Sequence, residues 1–147
     1  MKWNNDRSLL LSRVCVCVWV FTVLLAALLL TAPWFWNWIL WRSSVRMVYI
    51  GVTYASGVPA AVVLFCLHRL LRNISEEEVF IQENVRSLRI MSWCLIAAAL
   101  VYLVGSLFDW YLVVFAAAAA FVGLILRVVK NVFAQAVELK NENDFTI

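Results

Sequence analysis

Charge is what this chain has least of. Of its 147 residues only 14% are Asp, Glu, Lys or Arg, while 65% are hydrophobic; a soluble domain carries about 25% charged and about 45–50% apolar residues. So few ionised groups cannot cover a water-facing surface, which excludes an ordinary soluble fold and indicates an integral membrane protein. There is one histidine, His68, and no Gly-rich phosphate loop, no nucleophile set beside a base and no carboxylate pair at a surface cavity. Nothing therefore assembles the parts of a hydrolytic or phosphoryl-transfer site. Once four spans of about 20 residues are subtracted, too little chain remains for a separate soluble domain. The sequence predicts a single membrane domain over residues 1–147 that is not an enzyme and takes no cofactor and no metal.

The four cysteines do not change this reading. Cys15 and Cys17 fall in the first apolar run, Cys66 in the second and Cys94 in the third, where a thiol behaves as a small apolar side chain. Residues two apart on a helix face different ways, so Cys15 and Cys17 do not form a ligand pair. The net charge of +3 matters less than its distribution, and no direct contact with nucleic acid is read from it.

Four spans are predicted, at residues 14–32, 47–67, 90–108 and 110–129. The first apolar run is longer than the roughly 7–15 residues of a secretory signal's core, so it is read as a retained helix. Between spans one and two, residues 33–42 hold Trp34, Trp36, Trp38 and Trp41, which suit the headgroup zone. In span two, Gly51 and Ala55 have the spacing that lets helices approach closely, and Pro59 predicts a kink. Gly105, Ser106 and Asp109 make the turn between spans three and four, with Asp109 solvated at the outer surface. Of the 12 Lys and Arg, all but Arg42 and Arg46 fall at residues 1–13, 68–89 and 127–147. Basic residues gather on the cytoplasmic side of a bilayer, so both termini are expected on the cytoplasmic side of a cell membrane, inner or plasma.

The one long charged interruption, residues 67–89, organises the rest. Ser75 and Glu78 have capping-box spacing, and acids at 76–78 suit a helix start, so a helix is expected to begin near Ser75. Ile81, Val85, Leu88 and Ser92 recur at helical spacing beside Gln82, Glu83, Arg86 and Arg89, which predicts an amphipathic cytoplasmic helix between spans two and three. The stripe Ile125, Val129, Val132, Ala136 and Leu139 continues past span four, so the last helix is expected to protrude. Asn143 and Asp144 are expected to stop it. The fold class is thus all-α: an integral membrane four-helix protein of two transmembrane hairpins.

Two patches resemble a family. Residues 80–89, FIQENVRSLR, are similar to a Phe-Thr-x-Glu-Asn-Val-x-x-Leu-Arg stretch at Phe80, Glu83, Asn84, Val85, Leu88 and Arg89. Residues 139–147, LKNENDFTI, are similar to a terminal Glu-x-Asp-Leu-Thr-Ile pattern at Glu142, Asp144, Thr146 and Ile147, with Phe145 in place of Leu. Both patterns belong to the bacterial membrane family called domain of unknown function 2975, small proteins of about four spans. The resemblance implies company with a small helix-turn-helix regulator, hence membrane control of a transcription factor.

The functional expectation is a non-enzymatic regulatory membrane protein that holds a cytosolic partner on Phe80, Glu83, Asn84, Arg86, Arg89, Glu142, Asp144, Phe145, Thr146 and Ile147. Its other contacts are the lipid bilayer and a second copy in a homo-oligomer. The alternatives are an oligomeric small-molecule or ion transporter or channel, and a purely structural role. No span interior carries an acid, which weighs against an ion pump. The predicted topology is checked by single cysteine variants made without the four native cysteines. A membrane-impermeant maleimide added to intact spheroplasts should label Asp109→Cys, and should reach Glu83→Cys and Asp144→Cys only after permeabilisation.

Overall fold

Hydrocarbon offers a peptide group no hydrogen-bond partner, so a chain that crosses it closes its own N–H to C=O bonds, which the α-helix does within one segment. The computed structural model describes residues 2–39, 45–75 and 79–146, with side chains from Val14 onward. Among them there is no strand, and four helices follow one another: α1 Lys2–Ile39, α2 Arg46–Ser75, α3 Gln82–Gly105 and α4 Leu112–Thr146. Each is long and apolar enough to cross a membrane. The protein is a multi-pass, all-α membrane protein, as its composition indicates.

Every helix outruns the span read from hydropathy. α1 runs through Pro33 to Ile39, so residues 33–39 form its last turns and not a surface strap. Trp36 ties those turns to α2, its Nε1 donating to Thr53 Oγ1 at 3.0 Å and its ring lying 4.8 Å from that of Tyr49. Trp34 and Trp38 remain exposed; Trp41 and Arg42 lie outside the described residues. α2 carries His68, Arg69 and Arg72 as helical residues and ends at Ser75, where the sequence predicts a beginning. α3 starts instead at Gln82, capped by Ile81 in extended conformation with no side-chain cap bond. Glu76 to Glu78 lie outside the described residues. The expected amphipathic helix is no separate element, because α3 is unbroken from Gln82 to Gly105. Its first turns do bury Val85 and Leu88 and expose Arg86 and Arg89. α4 extends well past residue 129, as the apolar stripe requires, but it also passes Asn143 and Asp144 to Thr146. The Thr146 hydroxyl there donates to the Glu142 carbonyl at 2.6 Å.

Among the described residues only chain neighbours pack backbone to backbone: α1 on α2, α2 on α3 and α3 on α4. Among the described residues no backbone approach within 8 Å between Cα atoms joins α1 to α3 or α4, or α2 to α4. The helices therefore form a folded layer and not a closed ring. The cost falls on α1, which has one neighbour: 6% of its apolar window is buried against 33% for α3. Gly51 and Ala55 are exposed, and a Cβ on Gly51 would meet nothing within 4 Å. The predicted close approach at that pair is absent because α2 turns the face carrying Val52, Ser56 and Gly57 inward.

The most extensive seam joins α3 and α4. A Cβ on Gly123 would lie 3.3 Å from Leu95 Cβ and 3.4 Å from the Ser92 carbonyl oxygen, and the Ser92 hydroxyl donates to the Gly123 carbonyl at 3.0 Å. At the far end of the seam the Ser106 N–H closes α3 on the Tyr102 carbonyl at 2.9 Å, and the Leu112 N–H bonds the Asp109 carbonyl at 3.1 Å. This is the hairpin turn that Gly105, Ser106 and Asp109 predict. Interhelical bonds of this kind contribute about 0.6 kcal/mol in membranes, whereas overpacking a tight core costs about 1–3 kcal/mol. Gly123→Leu should therefore lower the temperature at which the detergent-solubilised protein loses its monodisperse peak clearly more than Ser92→Ala does. Thermal challenge followed by size-exclusion chromatography measures the difference.

Candidate functional site

The helices are antiparallel in sequence order, so the bundle has one end that carries both termini and one that carries the 106–111 turn. Polar side chains collect at both, for different physical reasons.

At the terminal end the link from α2 to α3 is held from inside. Asn84 is fully buried, and a buried amide is tolerable only when its hydrogen bonds are made. Asn73 Nδ2 donates to its Oδ1 at 2.8 Å, and its own Nδ2 donates to the Val79 carbonyl at 2.8 Å. One side chain thus binds the last turns of α2, the link and the first turn of α3. Around it Arg69 forms an ion pair with Glu83, both partly exposed, a pair of small energetic worth. The Phe80 ring lies 5.8 Å from that of Phe133 on α4. Farther along the same seam Arg127 sits 5.1 Å over the Trp93 ring, a cation–π contact.

The residues expected to hold a partner divide accordingly. Asn84 lies inside, Glu83 is paired with Arg69, and Phe80 packs on Phe133 while remaining partly open. Arg86 and Arg89 are exposed on the outer flank of α3. Glu142, Asp144, Phe145 and Thr146 are exposed on the last turns of α4, with Phe145 at 91%; Ile147 lies outside the described residues. The first patch meets α4 at Phe133, Val137 is the last buried residue of that helix, and beyond it the helix continues to Thr146, about 14 Å at a rise of about 1.5 Å per residue.

The second cluster was missed in the sequence. A cavity of about 340 Å³ is walled by residues from all four helices, among them Leu28, Ser56, Ala98 and Phe115. Its polar wall is a connected set. Trp36 donates to Thr53 as above, and the Thr53 hydroxyl donates to the Tyr49 carbonyl at 2.7 Å. Tyr102 donates from its hydroxyl to Ser56 Oγ at 3.2 Å, and Ser56 donates to the Thr53 carbonyl at 3.3 Å. The Tyr49 hydroxyl donates to Asp109 Oδ2 at 2.7 Å, while the other Asp109 oxygen accepts the Tyr111 N–H at 3.2 Å. Asp109 is therefore half-buried and engaged with α2, where the sequence suggests a solvated turn acid. The legible signal was the spacing of Tyr49, Thr53 and Ser56, which puts three hydroxyls on one helix face. A neighbouring cleft between α1 and α2 has an almost wholly apolar lining, with Thr22 and His68 as its polar members. Among the described residues no three His, Cys, Asp or Glu side chains gather into a set able to hold a metal ion.

Comparison with the curated proteins and with the solved structures finds no match. A family profile, however, matches residues 13–147, a range that takes in both sequence patches, the Asn84 latch and the cavity wall. The chain belongs to the family described as protein of unknown function (DUF2975).

Proposed function

We propose that this protein is a non-enzymatic regulatory membrane protein of the bacterial cell membrane, with both termini in the cytosol, that holds a cytosolic partner on the projecting end of α4. The observation that carries the reading is that end itself: Leu139 and Phe145 are 65% and 91% exposed on a helix that continues past its packing partner. Apolar side chains on a charged, water-facing helix have little reason to stay uncovered. Arg86 and Arg89, exposed on α3, supply nearby cations for an acidic counterpart. In this reading Phe80, Glu83 and Asn84 hold the platform, while Arg86, Arg89 and residues 142–147 meet the partner. The resemblance drawn from the two sequence patches makes a small helix-turn-helix regulator the first partner to test, with DNA contacted by that regulator and not by this chain.

Two variants separate platform from partner surface. Asn84→Ala leaves Asn73 and the Val79 carbonyl without their partner, and an unmade buried hydrogen bond costs about 1–3 kcal/mol. It should lower the thermal stability of the solubilised protein. Deletion of residues 141–147 should leave that stability unchanged while abolishing co-purification of a cytosolic protein from native membranes and altering transcription of the regulator's targets. The proposal fails if membranes carrying the intact chain recover no cytosolic protein and the deletion leaves transcription as it was.

A further inference from the structure

The cavity at the turn end of the bundle has the features of a ligand site, and its chemistry specifies the ligand. Its volume of about 340 Å³ lies at the lower end of the range for small-molecule pockets, about 300–1,000 Å³. On α2 its lining runs from Tyr49 to Val63, a length of about 20 Å at the helical rise of about 1.5 Å. It is narrow and long, the shape of one flexible chain. The walls differ along that length: Trp36, Tyr49, Thr53, Ser56 and Tyr102 gather in the half toward the turn, whereas Val63, Leu95 and Ala119 line the deeper half. α1 and α4 both contribute lining but make no close backbone approach to each other. The cavity is only partly enclosed, and among the described residues no backbone contact shuts it between α1 and α4.

The polar wall is selective in sign and in hydrogen-bonding sense. Among the described residues no Asp, Glu, Lys or Arg lines the cavity; Asp109 stands behind Tyr49 as its acceptor. A charged headgroup would thus be buried without a counter-ion, at a cost of several kcal/mol by general estimates. Each hydroxyl or indole proton on this wall is already given: Trp36 to Thr53, Thr53 to Tyr49, Tyr102 to Ser56, Ser56 to Thr53 and Tyr49 to Asp109. Hydroxyl oxygens have two lone pairs, so what the wall retains is acceptor capacity, chiefly on the phenol oxygens of Tyr49 and Tyr102. A headgroup that only accepts, such as a ketone or ester, would find no hydroxyl or indole proton to spare among these residues.

We propose that this cavity binds a neutral long-chain or isoprenoid alcohol drawn from the leaflet at the turn end. The hydroxyl donates to the Tyr49–Ser56–Tyr102 wall and the tail lies along Val63, Leu95 and Ala119. This inference rests on the cavity alone and is independent of the partner surface at the other end.

The test uses the full chain in phosphatidylcholine vesicles with diazirine-tagged hexadecanol, and with the matching tagged hexadecanoic acid and hexadecane as probes. Hexadecanol should label the cavity-lining stretches of α2 and α3 saturably, untagged hexadecanol should compete, and the acid should label them far less. Ala119→Phe fills the deep half and should abolish saturable labelling. Leu28→Trp, which fills the cavity from the exposed flank of α1, serves the same purpose without touching the α3–α4 seam. Tyr102→Phe should weaken hexadecanol binding roughly two- to tenfold, the worth of one neutral hydrogen bond, and leave hexadecane labelling unchanged. Labelling that does not saturate, that survives both filling variants, or that is as strong with the acid as with the alcohol overturns the proposal. So does a Tyr102→Phe variant that binds both probes as the parent does.

Discussion

Hydrogen bonds between consecutive helices are what the rest of this architecture depends on. Trp36 to Thr53 joins α1 to α2; Asn73 to Asn84 and Tyr102 to Ser56 join α2 to α3; Ser92 to Gly123 joins α3 to α4. Apolar contact alone cannot fix such a register, because a lipid tail is as good a neighbour as a leucine. Each bond is modest in energy. Their value lies in position: one polar partner selects one rotation and one depth of a helix against the next.

The two ends of the bundle use this interaction differently. At the terminal end Asn84 is enclosed and its bonds close a chain connection, so the polar group serves structure. At the turn end Tyr49, Thr53, Ser56 and Tyr102 line a space that no side chain fills. Similar chemistry, placed against a backbone in one case and against a void in the other, yields a latch and a candidate recognition surface. Asp109 belongs to both the turn and the wall, since it caps the hairpin through Tyr111 and holds Tyr49 from behind.

What the sequence made legible was whatever depends on average hydropathy and helical period. The spans, the tight turn at Gly105 to Asp109 and the extension of α4 past residue 129 are all of this kind. Helix ends were less legible, because a local signal competes with contacts from distant residues. Ser75 and Glu78 have the spacing of a cap, yet Asn73 at the end of α2 reaches Asn84, and the link forms beyond Ser75. Pro33 would end a helix in isolation, but Trp36 gains both a hydrogen bond and a ring contact on α2, and the helix continues. Of the residues expected at a partner surface, composition could not tell Asn84 from Arg86, two positions apart on different helix faces. The cavity was invisible to patterning altogether, since it arises from the way four helices meet.

The single-sided attachment of α1 also sets how the protein responds to its membrane. Its candidate span Val14–Ile39 is 26 residues long, about 39 Å at about 1.5 Å per residue, against a hydrocarbon core of about 30 Å. A helix longer than the bilayer is thick accommodates by leaning over, and only α2 restrains this one. Thinning or thickening of the surrounding lipid would therefore register first as a change in the inclination of α1, whose seam with its neighbour is the least extensive of the three.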